Sequence, residues 1–145
     1  MIVYKLTDGN HQTRGGCQWG EGVTHETNGQ GELCSPGWIH VYRHPLLAIF
    51  LNPIHANFVG PVLWKAEASG LEKHDHGLKS GYTVVTTTRR LLRVPELTIG
   101  QRVKFGIICA KAVHTGLPEW NTWADRWLSG EDRSEAAARE AREAA

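Results

Sequence analysis

Pro61-Val62-Leu63-Trp64-Lys65-Ala66-Glu67-Ala68 alternates along its length. Val62, Trp64, Ala66 and Ala68 fall on one side of an extended chain, and Lys65 and Glu67 on the other. A period of two marks a half-buried β-strand. Such a strand needs neighbours beside it and a cover over its apolar face, so the fold is built on a sheet.

Flanking segments supply both. Ile2-Val3-Tyr4-Lys5-Leu6 reads as a short strand closed by Asp8-Gly9-Asn10. Gly37 to Tyr42 reads as another, and Tyr82 to Val94 as a long strand or a bent pair. Val103-Lys104-Phe105-Gly106-Ile107-Ile108-Cys109 is the most apolar run and is expected as a central strand. Pro45 stands where a helix takes its first residue, and Leu46 to Leu51 reads as a short inner helix ending before Pro53. Pro118 opens a second helix, on which Trp120, Trp123 and Trp127 share one face. Gly9 to Gly37 reads as loops with one or two short strands, one of them at Gln18 to Thr24, and Leu71 to Gly81 as a polar loop. From Ser129 the chain turns Ala-rich and charged, with Glu135–Arg139 and Arg139–Glu143 at helical i, i+4 spacing. The expected class is therefore α+β. It has a mixed, mostly antiparallel sheet, a short inner helix, a Trp-striped helix and a charged helical tail. The expected division is one domain over 1–128 and a tail over 129–145.

Composition narrows the partners. The chain has 145 residues, with 16 Lys and Arg against 15 Asp and Glu, a net charge of +1. That balance argues against a dedicated nucleic-acid coat, which needs a basic excess, while leaving room for a local basic patch. Three cysteines, Cys17, Cys34 and Cys109, make a poor disulfide framework and favour a reducing compartment. The N-terminal residues show no signal-peptide pattern and no apolar run reaches a membrane span, so the expected location is cytoplasmic, or the host cytoplasm if the chain is viral, with no membrane partner.

Several residue groups invite chemistry. Asn10-His11-Gln12-Thr13-Arg14-Gly15-Gly16 offers glycines that let backbone N–H groups approach a phosphate, beside a guanidinium fork. It reads either as a nucleotide cradle or as a local turn. His25, Cys34, His40 and His44 are zinc-binding types at H-x8-C-x5-H-x3-H spacing. They read equally as a His40 bonded within the sheet and a His44 at the helix cap. Lys73-His74-Asp75-His76-Gly77 sets histidines at alternate positions, for metal, for proton transfer or simply for solvent. Thr86-Thr87-Thr88-Arg89-Arg90 with Arg93 suits phosphates, and so a nucleic acid, or a charged edge that deters aggregation. The tryptophan stripe is either packing onto the sheet or an interface. Cys17 sits in a flexible setting with no evident base, and no Ser-His-Asp or Cys-His arrangement stands out.

Three segments together resemble a family of small phage and prophage proteins with no assigned activity. They are Thr13-Arg14-Gly15-Gly16-Cys17-Gln18-Trp19-Gly20-Glu21-Gly22, then Cys34-Ser35-Pro36-Gly37-Trp38-Ile39-His40 with Pro45, and Trp64 to Gly70. The stretch Trp123 to Ser134 before the alanines also resembles that family. The resemblance implies an accessory protein that binds a host macromolecule or a nucleotide, in host takeover or counter-defence. The order of elements is also similar to that of ADP-ribosyltransferases, which implies an NAD-using enzyme with Arg14, His40 and Tyr42 in the gripping roles. The late strands carry no Glu-x-Glu or Gln-x-Glu, and Glu96 and Gln101 are the nearest such residues. The expected ligand-binding residues are Arg14, Gly15, Gly16, His40, Tyr42 and His44, with Trp120, Trp123 and Trp127 as an interface. NAD and zinc are the candidate cofactors, and a zinc-stabilised structural module is a third reading.

Overall fold

The computed structural model describes residues 1–75, 77–113 and 116–143. It divides the chain into two compact units, Met1–Glu96 and Leu97–Ala145. The expected boundary at 128/129 lies inside the second unit.

The first unit holds β1 (Ile2–Thr7), β2 (Gln12–Thr13), β3 (Cys17–Gln18), β4 (Thr24–Glu26), β5 (Ile39–Val41), α1 (Pro45–His55), β6 (Val62–Asp75) and β7 (Lys79–Arg90). Every pairing among the described strands is antiparallel. β1 pairs β6, β6 pairs β7, and the far edge of β7 carries β5 over Ser80–Tyr82 and β4 over Val84–Thr86. Tyr4 and Tyr42 then exchange two backbone hydrogen bonds, of 2.7 and 2.9 Å. That bridge returns β5 to β1 and closes the ring of strands. Val3, Ile39, Val41, Ala66, Ala68, Tyr82 and Val85 form the core, and Trp19 from the early glycine-rich stretch joins them, 3% exposed. Val62, Trp64, Ala66 and Ala68 are buried and Glu67 is exposed, as read, but the alternation holds only from Trp64 on, because Leu63 on the other parity is also fully buried.

Of residues 71–81, expected as a polar loop, 71–75 and 79–81 instead belong to β6 and β7, in the far half of their hairpin. Gly70, at φ +80°, sits in a register shift between Ser69 and Glu72. The shift breaks the alternation that would have revealed the strand. Helix α1 also runs past its expected end. Pro53 is accommodated inside it, and the stop comes from Asn52, whose side chain bonds Phe58 N and O at 3.0 Å each, with Asn57 at φ +54°.

The second unit holds α2 (Ile99–Val113), α3 (Pro118–Ser129) and α4 (Glu135–Glu143). The run Val103–Cys109 is helical, not a central strand. A reciprocal cap starts α2: Thr98 Oγ1 accepts from Gln101 N at 3.1 Å, and Gln101 Oε1 accepts from Thr98 N at 2.9 Å. Ile107 is the one fully buried residue of α2, so the apolar run is wetted on most sides. α3 begins at Pro118 as expected and ends at Gly130, whose φ of +86° lets its N–H turn back on Arg126 O at 3.1 Å. α4 docks on α3 through Ala141, 6% exposed. No described helix is long and apolar enough to cross a membrane.

Candidate functional site

The expected ligand groups part company in the structure. Arg14, Gly15 and Gly16 form a tight turn at the tip of the β2–β3 hairpin. Both glycines have positive φ, +77° and +73°, and a Cβ at either would meet nothing within 4 Å. Arg14 is exposed and makes no hydrogen bond or ion pair among the described residues. His40, Tyr42 and His44 lie elsewhere, at the end of β5 and the start of α1, and each has a job inside the fold. His40 Nε2 donates to the Leu33 carbonyl. Tyr42 shares a 3.0 Å hydrogen bond with His55 Nδ1 and stacks on its ring, with 6.0 Å between centroids. His44 Nδ1 accepts from Leu46 N at 3.2 Å and so caps α1.

The zinc set does not assemble. His25 Nε2 bonds Gln18 O at 2.7 Å and its ring meets Trp19 edge-on, His40 is held by Leu33, and His44 caps its helix. No three metal-ligating side chains converge among the described residues. His76 of the alternate-histidine motif lies outside those residues, and His74 is exposed.

What the fold does gather is a set of bases around β1, β5 and β7. Lys5 occupies the inward parity of β1 with Val3 and Thr7, and is 7% exposed. Its Nζ donates to the His40 carbonyl at 2.9 Å and stands 5.1 Å from the centre of the Trp19 ring. Burial, offset in part by Cys17, brings its pKa down to about 8. Lys79 is equally buried, and its Nζ reaches Cys34 Sγ at 3.0 Å. Burial holds the His40 pKa below its ordinary value. The Leu33 hydrogen bond opposes that shift, and Lys79, Lys5 and His55 add to it. His55 is lowered too, by burial and then by Lys79, against a pull from Asp75. Burial pushes the Tyr42 hydroxyl up to about 12. Every polar group of this cluster is thus engaged internally, and the exposed member is Cys34.

Comparison with protein-family models, with curated proteins and with solved structures found no match.

A second basic group lies on the outer end of the β6–β7 hairpin. Lys65 sits directly opposite Arg89, and Trp64 opposite Arg90. Thr88 is the extra residue of the register shift there, its hydroxyl donating to Lys65 O at 3.1 Å. Arg89, Arg90 and the nearby Arg93 are exposed, and neither they nor Lys65 has an acidic partner within ion-pair distance among the described residues. In the second unit, Trp120 and Trp123 pack at 5.9 Å between ring centroids, and the Arg133 guanidinium covers Trp127 at 4.7 Å. All three indoles are half-buried, on a helix that contacts α2 and α4.

Sequence reasoning anticipated His44 at the helix cap, whereas His40, expected to bond within the sheet, bonds Leu33 O in the preceding loop. It missed Lys5, Lys79 and His55. The pattern around Lys5 pointed the other way, because Ile2, Tyr4 and Leu6 make the apolar parity of that run, yet Ile2 is exposed and Lys5 is buried. Lys79 carried no local signal.

Proposed function

We propose that the chain works by binding, as a small phage-type accessory protein, and that it takes the phosphates of a nucleotide or of a host nucleic acid. One observation carries the reading: Lys65 opposes Arg89 across the hairpin, Arg90 and Arg93 follow within four residues, and among the described residues no carboxylate neutralises any of the four. Like charges directly opposite one another on a sheet cost stability. A bound phosphate repays that cost. The near-zero net charge fits a short patch, not a coat. The order of elements that suggested an NAD-using transferase loses its strand near Val103, which is helical. Arg14, on the β2–β3 hairpin tip, lies apart from His40 and Tyr42 at the end of β5.

Fluorescence anisotropy with labelled oligonucleotides, and competition by ATP and NAD, tests the proposal. Four phosphate contacts give a slope of log K against log salt of about −3. Arg89→Ala with Arg90→Ala should weaken binding and reduce that slope by about half. Arg14→Ala, in a separate arm, reports whether the hairpin tip contributes. Absence of binding to any of these ligands, or binding indifferent to the double substitution, would end the proposal. NAD consumption would point to the transferase instead.

A further inference from the structure

Cys34 and Lys79 are 45 residues apart in sequence, yet Lys79 Nζ stands 3.0 Å from Cys34 Sγ. The lysine is 7% exposed while the cysteine is open to solvent. A buried lysine ordinarily finds a carboxylate. Asp75 lies directly opposite Lys79 in the hairpin register, yet the ammonium goes to sulfur. Both atoms are held from behind. Lys79 begins β7. The loop bearing Cys34 is tied down on both sides: Trp38 Nε1 and Lys73 Nζ each donate to Gly31 O at 3.1 Å, Lys73 pairs with Glu32 at 3.0 Å, and Leu33 O receives His40. Thr27 N, further up the same segment, bonds Thr83 O at 2.8 Å. The separation matches that of reacting atoms already in place for attack, about 3–3.5 Å.

We propose that Cys34 and Lys79 are an oxidant-responsive pair that closes to a sulfenamide when the chain meets hydrogen peroxide. The Cys34 thiolate attacks one peroxide oxygen, an S–O bond forms, the O–O bond breaks, and sulfenic acid is left as water departs. The Lys79 nitrogen then attacks that sulfur. An S–N bond forms, the S–O bond breaks, and the hydroxide leaves as a second water with a proton from the lysine. Sulfur loses two electrons and peroxide gains them. From thiolate, ammonium and one peroxide, the products are one sulfenamide and two waters. The link ties the loop of residues 27–37 covalently to β7, and thiols reverse it.

The test uses the full chain carrying Cys17→Ser and Cys109→Ser, so that no disulfide within one chain mimics the product. Near-stoichiometric peroxide should lower the intact mass by two hydrogens. It should also block tryptic cleavage after Lys79 and yield a cross-linked peptide joining Cys34 and Lys79, and dithiothreitol should restore the starting mass. Lys79→Arg, added to that background, keeps a cation beside the sulfur but removes the amine, and with a second equivalent of peroxide should give Cys34 sulfinic acid instead. Stable Cys34 sulfinic acid in the Lys79 protein, with cleavage after Lys79 intact, overturns the proposal, as does a Cys34–Cys34 disulfide between chains as the main product. The first measurement needs no substitution at Lys79, so it decides the question whether or not Lys79→Arg folds.

Discussion

Lys5→Met isolates the energetic consequence of burying a lysine against a carbonyl and an indole. The folded chain holds Lys5 at about 8, against an ordinary 10.5. At 1.36 kcal/mol per pKa unit, that difference amounts to about 3 kcal/mol. The sign follows from proton counting. Between these two values the unfolded chain keeps a proton that the folded chain has released, so stability rises as pH rises through the window. Below about pH 8 both states carry the proton and the full cost of burying the charge is present. Methionine fills a similar stem and has nothing to titrate. It also forfeits the 2.9 Å bond to His40 O and the contact over Trp19, worth about 1–3 and 0.5–2 kcal/mol. These losses offset the relieved burial cost, so the level of stability at neutral pH decides nothing and the slope decides everything. Urea unfolding from pH 7 to 10 should show the parent protein gaining most of those 3 kcal/mol, a midpoint shift of about 1–3 M, relative to Lys5→Met. Parallel pH profiles for the two proteins would refute the burial argument.

Three further outcomes follow from single contacts. The neutral form of His40 is favoured by folding, so stability should fall as pH drops from the ordinary 6.5 toward the lower folded value, and His40→Gln should flatten that limb in acid titrations followed by circular dichroism. Thr98→Ala removes the reciprocal cap of α2 and should cost about 1 kcal/mol in the helical second unit, read as a lower thermal midpoint in helix-sensitive circular dichroism. Gly37→Ala places a Cβ 2.0 Å from Gln30 O, a backbone atom that cannot rotate away, and should displace the Cys34 loop, measured as faster labelling of Cys34 by a thiol reagent.

The sheet was legible where side chains alternate cleanly. β5 and residues 64–68 of β6 place apolar residues on one parity and the structure buries them, whereas β1 turns Val3, Lys5 and Thr7 inward and leaves the apolar Ile2 exposed. The Trp-striped helix announced itself by Pro118 and by 3, 7 spacing. The failures share a cause: a local device overrode composition. Val103–Cys109 has the residues of a strand, but the Thr98–Gln101 cap commits the chain to a helix before the run begins. Gly70 shifts the register of β6, so that Leu71 to Asp75 no longer alternate with the residues before them. At the site, His44 could be read because its role is set by a neighbour in sequence, Leu46, while the His40 ring bonds Leu33, seven residues back in a loop whose course the sequence does not fix. Lys79 could not, because only the β5–β7 register and the course of the preceding loop bring it to Cys34.

The two basic groups of the first unit differ in a way that bears on where a ligand can act. A cation taken out of water must be satisfied by the protein itself, since an unpaired buried charge costs several kcal/mol. Lys5 and Lys79 obey this, one on a carbonyl and the other on a thiol, and each is too deeply buried to meet a phosphate without losing its place in the fold. Lys65, Arg89, Arg90 and Arg93 are under no such demand, because water solvates whatever part of them the strands leave open. They keep their hydrogen-bonding capacity unspent, and two of them face each other at a cost that an anion removes. Substitutions in the two groups should therefore separate: Lys5→Met changes the pH dependence of folding and leaves phosphate affinity intact, while Arg89→Ala with Arg90→Ala lowers affinity and leaves the folding profile intact. If both sets moved folding and affinity together, the buried bases and the exposed patch would be one site, and the division drawn from their hydrogen bonding would be wrong.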